Sequence, residues 1–183
     1  MNVNKLQILG FGNSGINILN KIKSIYPNSF CIVLIADKES LKSSNADKTI
    51  LLDNEGLGCC GDFRLGMRYV QEKQQEILNS IDLSKTTVLV SALGGGCSSG
   101  CFLECFQLFS KSDIKFHSII SIPFSFEGDR RLGLSISVIS ELLKFKNRQN
   151  IHLLETVKIQ ERITLRNLFE LADEKFIEQL ERI

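Results

Sequence analysis

Apolar residues follow two alternating patterns along this chain. Short continuous apolar runs are followed by stretches in which apolar positions recur every three or four residues. Lys5–Leu9 reads as a short buried strand. Ser14–Ile25 reads as a helix with Ile16, Leu19, Ile22 and Ile25 on one face, closed by Pro27 and Asn28. Phe30–Ala36 is apolar throughout, as in a strand covered on both faces. Thr49–Leu52 reads as a short strand and Phe63–Ile81 as a helix with a polar face. Thr86–Ala92 is a strand, Cys97–Ser110 a helix, and Phe116–Ile122 a strand ending at Pro123. Arg130–Phe145 is a helix, Ile151–Leu154 a strand, and Thr164 to the end a helix. Alternation of this kind predicts an α/β fold, a Rossmann-like three-layer sandwich with a mainly parallel sheet. No repeat, low-complexity tract or linker interrupts it, so residues 1–183 read as one domain.

Glycine clusters fall where these strands end. The first is Gly10-Phe11-Gly12-Asn13-Ser14-Gly15 and the second Gly94-Gly95-Gly96-Cys97-Ser98-Ser99-Gly100. Gly56, Gly58 and Gly61 make a third turn. Ligands of parallel sheets lie at the carboxyl ends of the strands. A glycine turn opening a helix aims backbone N–H groups at one spot, which suits phosphate. Two such loops suggest two walls around one polyphosphate.

Composition narrows the class. Lys and Arg number 22 against 21 Asp and Glu, so no basic field invites nucleic acid. No apolar run approaches the ~20 residues of a membrane helix, and no membrane insertion is expected. Met1–Lys5 lacks the shape of a signal peptide, so a cytoplasmic location is expected. The six cysteines read as reduced thiols used as small apolar residues. A metal site from Cys97, Cys101 and Cys105 with Cys59-Cys60 is the sharper alternative. Zinc ligands usually come in short turn motifs rather than down one helix face, so no metal site is expected.

Gly10-x-Gly12-x-x-Gly15 followed by a strand ending in Asp37 also fits a dinucleotide fingerprint, with Asp37 as ribose ligand. A dinucleotide fold does not call for the second loop. That loop, Ala92-Leu93-Gly94-Gly95-Gly96-Cys97-Ser98-Ser99-Gly100, resembles the tubulin/FtsZ signature GGGTGTG, with Cys97 and Ser99 at the two threonine positions and Ser98 at the intervening glycine. GFGNSGIN, closed by Asn17, resembles the opening of FtsZ. Gly56–Asp62 resembles the family loop GLGAGAN, which faces the γ-phosphate. Pro123–Arg131 closely resembles PFxFEGxxR. Phe169–Asp173 resembles the family's central helix, where an aromatic and an acidic or amide residue meet guanine.

The resemblance covers essentially the whole chain and implies a tubulin/FtsZ nucleotide-binding domain that takes GTP or GDP, with Mg²⁺ held through the phosphates. It implies Gly12, Asn13, Ser14, Asn17, Cys60 and Gly61 on one wall and Gly94, Gly95, Gly96, Cys97, Ser98, Ser99 and Gly100 on the other. The Ser99 hydroxyl would donate to a phosphate oxygen. Glu127 would accept from the ribose, and Arg131 would pair with Glu127 or reach sugar and phosphate. Phe169 would offer a face to the base, and Asp173 would accept the paired donors that guanine presents and adenine does not. Taken singly, Phe169 also reads as core, Asp173 as a solvated face and Glu127–Arg131 as a surface ion pair.

The sequence also departs from the family. The acidic loop after the central helix, which completes hydrolysis in a neighbouring subunit, has no counterpart in these 183 residues, so GTP hydrolysis by the chain alone is expected to be weak or absent. Leu165, Leu168, Phe169, Ala172, Phe176, Leu180 and Ile183 form one stripe on the last helix, opposite a charged face, which favours a natural short form over a fragment. Asn13 and Ser14 stand where the family has glycine, Cys59 and Cys60 replace small residues, and Ser98 occupies a loop that is expected to need positive φ. The asparagine that follows the sixth strand in FtsZ has no clear equivalent near Leu153–Val157. Expected partners are a further copy of the chain or a full-length FtsZ-like protein, in cell division or a cytoskeleton. Two alternatives stay open: an interaction module that has lost its nucleotide, and an NAD-binding protein. The last lacks a catalytic domain, and His117 and His152 sit in or beside apolar strands.

Overall fold

The computed structural model describes residues 5–154 and 164–183. The N-terminal tetrapeptide and most of the segment expected to follow the sixth strand therefore lie outside the described residues. Among the described residues six strands form one sheet in which every pairing is parallel. They are β1 (Leu6–Phe11), β2 (Phe30–Ile35), β3 (Lys48–Leu51), β4 (Thr86–Ala92), β5 (Phe116–Ser121) and β6 (Ile151–Leu153). Their order across the sheet is β3-β2-β1-β4-β5-β6. The chain builds outward from β1 to β3, then returns to the other side of β1. The gap between β1 and β4 is thus the switch point where such sheets hold ligands.

Period-two alternation sends neighbouring strand residues to opposite faces. Ile8, Val33, Val88 and Ile119 meet α1 (Gly12–Ile25) and α6 (Leu165–Leu180) on one face. Leu9, Leu34, Leu89 and Ile120 meet the helices of the other face. Those helices are α2 (Phe63–Glu72), α3 (Gln74–Asn79), α4 (Gly96–Ser110) and α5 (Asp129–Leu142). Both faces are covered, which is why the central strands are apolar along their whole length. The expected three-layer α/β architecture is what the chain adopts.

Three helical readings change. The expected helix Phe63–Ile81 bends at Lys73 into α2 and α3, within a polar run, Gln71–Glu76, that buries no side chain. On α1 the buried residues are Ile16, Ile18, Leu19 and Ile22, while Ile25 is exposed. On α6 the buried set is Leu168, Phe176, Ile177 and Leu180; Leu165 and Phe169 of the expected stripe are exposed. The stripe drifts around the helix because α6 rests on the sheet mainly through its C-terminal half. There, the Gln179 side chain bonds His152, whose ring stacks on His117. Burial holds both imidazoles below their usual pKa. At the other end Thr164 caps α6 by accepting from the Asn167 N–H, as Asp62 caps α2 through Arg64.

Candidate functional site

Three backbone turns converge beside the switch point. After β1 the chain turns at Gly12, whose φ is +64°, and enters α1. Gly10 and Gly15 let strand and helix touch: a Cβ on Gly15 would lie 2.6 Å from the Gly10 carbonyl carbon. After β4 the turn falls at Gly94, with φ +106°, and α4 begins at Gly96. A Cβ on Gly12 would lie 3.3 Å from the Ser98 nitrogen, so the two turns are neighbours. The third turn, Gly58–Asp62, lies against the second: a Cβ on Gly96 would lie 2.6 Å from the Gly61 carbonyl carbon. The first N–H groups of α1 and α4, at Gly12–Ser14 and Gly96–Ser98, have no intrahelical acceptor and present positive helix ends to one space.

The positive φ expected near Ser98 falls instead at Gly94, Gly58, Gly61 and Cys60; Ser98 lies inside the first turn of α4. Cys60, at φ +47°, is the one non-glycine residue with positive φ among the described residues.

That space is a cavity of about 530 Å³. Its middle is bounded by the Pro123–Arg131 segment. The Phe124 N–H donates to Glu127 Oε1 at 2.8 Å, and Arg131 Nη1 donates to Glu127 Oε2 at 2.8 Å. The carboxylate is thereby fixed, with Arg131 reaching outward. The far end is built from α6 and α1: Phe169, Ala172, Asp173 and Phe176 face Asn17. Phe124, Phe126 and Phe169 form a ring cluster, with Phe124 and Phe126 stacked at 5.3 Å and Phe169 edge-on to both. Burial raises the Asp173 pKa to about 6, against the pull of Lys21. Among the described residues this carboxylate has no hydrogen-bond or ion-pair partner, and it is poised to accept from a bound donor.

Most of the expected residues meet here. Gly12, Asn13, Ser14, Asn17, Cys60, Gly61, Gly95, Gly96, Cys97, Ser98, Glu127, Arg131, Phe169 and Asp173 all line the cavity. Gly94, Ser99 and Gly100 lie behind its wall. The Ser99 hydroxyl, expected to reach phosphate, is buried and accepts from the Gly94 N–H at 2.8 Å. It braces the loop from within. Gly100 packs against α2.

Several lining residues escaped the sequence reading. Phe124 lines the cavity and Phe126 stacks on it; both lie within the Pro123–Arg131 motif, and their alternation in PFSFE was the available signal. Cys59 lines the cavity beside Cys97, and Lys175 reaches it from α6. Asp37 is also on the wall, its carboxylate held by Ser40 Oγ and the Glu39 N–H.

A family model described as "Tubulin/FtsZ family, GTPase domain" matches residues 5–151. Cell division protein FtsZ 1 of Pyrococcus furiosus is 23% identical over 98% of this chain and 50% of its own length. Cell division protein FtsZ 2 of Rhizobium meliloti is 28% identical over 93% of this chain and 47% of its own. The chain thus spans about half the length of the curated relatives it matches. A solved empty FtsZ dimer from M. jannaschii superposes with a TM-score of 0.81 at 23% identity, covering 93% of this chain and 51% of that one. CetZ2 from Haloferax volcanii, solved as a GTPγS-bound protofilament, superposes at 0.77 with 18% identity, covering 96% and 57%.

Proposed function

The chain belongs to the Tubulin/FtsZ family, and on that footing we propose that its cavity binds a guanine nucleotide. The observation that carries this reading is the pairing of two ends in one space. Backbone N–H groups of two helix starts face one end, and a carboxylate with no partner among the described residues, beside an aromatic cluster, faces the other. The turns at Gly12–Ser14, Gly58–Gly61 and Gly95–Ser98 suit the phosphates. Glu127 suits ribose hydroxyls, Phe169 the base plane, and Asp173 the adjacent N1–H and N2–H₂ of guanine. Mg²⁺ would be held through the phosphates, where it neutralises their charge. By this reading the protein acts with further copies of itself or a full-length FtsZ-like protein, in division or cytoskeletal assembly. No helix among the described residues is long and apolar enough to cross a membrane.

The test is what the purified protein carries and prefers. Denaturation should release GDP or GTP, and titration should show guanine nucleotides bound at least about tenfold more tightly than adenine ones. NAD in the released fraction, or equal affinity for GTP and ATP, would overturn the reading.

The 183-residue chain alone should release phosphate slowly. Hydrolysis needs a group to position the attacking water, besides cradled phosphates. Of the wall carboxylates, Asp173 is assigned to the base and the others are engaged elsewhere: Glu127 with Arg131 and the Phe124 N–H, Asp37 with Ser40. Asp62 caps α2. Phosphate release measured across a protein concentration series checks this. Rapid turnover independent of concentration and lost in Asp62→Asn would show that the chain supplies its own catalytic carboxylate.

A further inference from the structure

Beside the phosphate end of the cavity lies a cluster of sulfurs that the nucleotide reading, which uses the backbone of these turns, leaves without a role. The Sγ atoms of Cys59, Cys97 and Cys101 all lie within 4.8 Å of one another. Cys97 and Cys101 stand one turn apart on α4, with their sulfurs 3.6 Å apart. Cys59 comes from the Gly58–Asp62 turn, which closes over them. Spacing along α4 alone argued against a metal, because a single helix face supplies only one side of a coordination shell. The turn supplies the missing side.

We infer that Cys59, Cys97 and Cys101 form a three-thiolate site for one thiophilic d¹⁰ cation of the zinc class. Thiolates on a single tetrahedral zinc, each at about 2.3 Å, lie about 3.8 Å apart. Small side-chain rotations bring the three sulfurs to that spacing. The cradle is fixed before any ion arrives. Leu57 and Glu55 donate backbone N–H groups to Asp53 at the base of the turn, and the Asp62 N–H returns to the Cys59 carbonyl at 2.7 Å. Cys101 is fully buried and Cys59 nearly so, which excludes competing water from their side.

Cys97 sits in the first turn of α4, where the helix N-terminus favours a thiolate. Binding Zn²⁺ converts three S–H groups to S–Zn bonds and releases three protons to solvent, with no change of oxidation state. Cys59 and Cys97 line the cavity, so the fourth position opens onto it and takes water or a ligand oxygen. The inference does not depend on which nucleotide the cavity takes.

The experiment uses the full chain, reduced, metal-free and under anaerobic conditions, titrated with Co²⁺ as a spectroscopic stand-in for Zn²⁺. One equivalent should produce thiolate-to-cobalt charge-transfer absorption and the intense visible bands of four-coordinate cobalt. Zn²⁺ should then bleach both. Cys59→Ser and Cys97→Ser, checked for folding by circular dichroism, should each weaken binding at least about 100-fold. Cys31→Ala, on the opposite face of the sheet, should leave it unchanged. The wild-type spectrum decides the matter even if a variant fails to fold. A folded wild type without charge-transfer absorption, or absorption that survives in both serine variants, would overturn the site.

Discussion

Gly100→Ala should abolish folding or cost about 3 kcal/mol or more, whereas Gly133→Ala should stabilise the protein by up to ~1 kcal/mol. Both glycines lie inside helices, where alanine is intrinsically preferred. What separates them is what a methyl group would meet. At Gly100 a Cβ would lie 2.0 Å from the Phe63 carbonyl oxygen and 3.0 Å from the Met67 nitrogen. These are backbone atoms of α2, so no side-chain rotation relieves the clash. Gly66 repeats the arrangement from the other side, 2.9 Å from the Gly96 carbonyl oxygen. The two helices touch backbone to backbone, and one methyl would prise them apart. That movement would carry the Gly58–Asp62 turn away from the cavity. At Gly133, on exposed α5, a Cβ would meet nothing within 4 Å. Denaturant midpoints of the two variants give the comparison. A Gly100→Ala protein as stable as the wild type would mean that α2 and α4 are not in contact there.

Asp173→Asn should move binding and stability in opposite directions. Binding loses charge-assisted hydrogen bonds worth roughly 1.5–3 kcal/mol each, so preference for guanine should fall at least about tenfold. Stability works the other way. In the folded chain the Asp173 proton is held more tightly than in the unfolded chain, with the pKa moved from 3.8 to about 6. Its contribution favours folding most at low pH and is lost as pH rises through that window. At neutral pH the ionised group therefore destabilises the ligand-free fold, by ~1–2 kcal/mol once partial solvent access is allowed for. Removing the charge should recover that amount at pH 7.5 and nothing near pH 3. Thermal unfolding at the two pH values, beside GTP and ATP titrations, tests both halves. The same titration predicts that guanine binding to the wild type weakens as pH falls below about 6, because a protonated carboxyl cannot accept both donors. A variant that loses stability at pH 7.5 would place Asp173 in a structural ion pair instead.

Much of this was legible in the residues. The strand-loop-helix order placed all three glycine turns on one edge of the sheet. A parallel sheet leaves no other place for them. The 17 site residues named from the sequence divide by mechanism. Those whose role depends on local backbone, such as Gly12 and Gly95–Ser98, reached the cavity. Ser99 was misjudged in its direction because rotation about α4, and so which side of the wall a hydroxyl faces, is set by packing on α2. The same cause hid Gly66, which reads as an ordinary helix glycine until its partner Gly96 is known. The stripe on α6 was misplaced because periodicity reports apolar spacing, not which part of a helix is in contact. Phe169 is apolar for the cavity's sake and joins Phe124 and Phe126 rather than the core. The thiols were weighed in the sequence as a metal alternative and set aside, because only the folded turn before α2 shows that Cys59 joins Cys97 and Cys101.

The cavity also straddles the two cores. Its turns belong to helices on both faces of the sheet, and Asp173 and Phe169 belong to α6, whose buried contacts lie mostly in its C-terminal half. An occupant that touches both ends joins the N-terminal half of α6 to the glycine turns. By mass action, a ligand present at 100 times its dissociation constant adds about 2.7 kcal/mol to the folded state. The melting temperature of a purified sample is then a property of the retained ligand as much as of the chain. Two preparations of identical sequence can differ by several degrees for that reason alone.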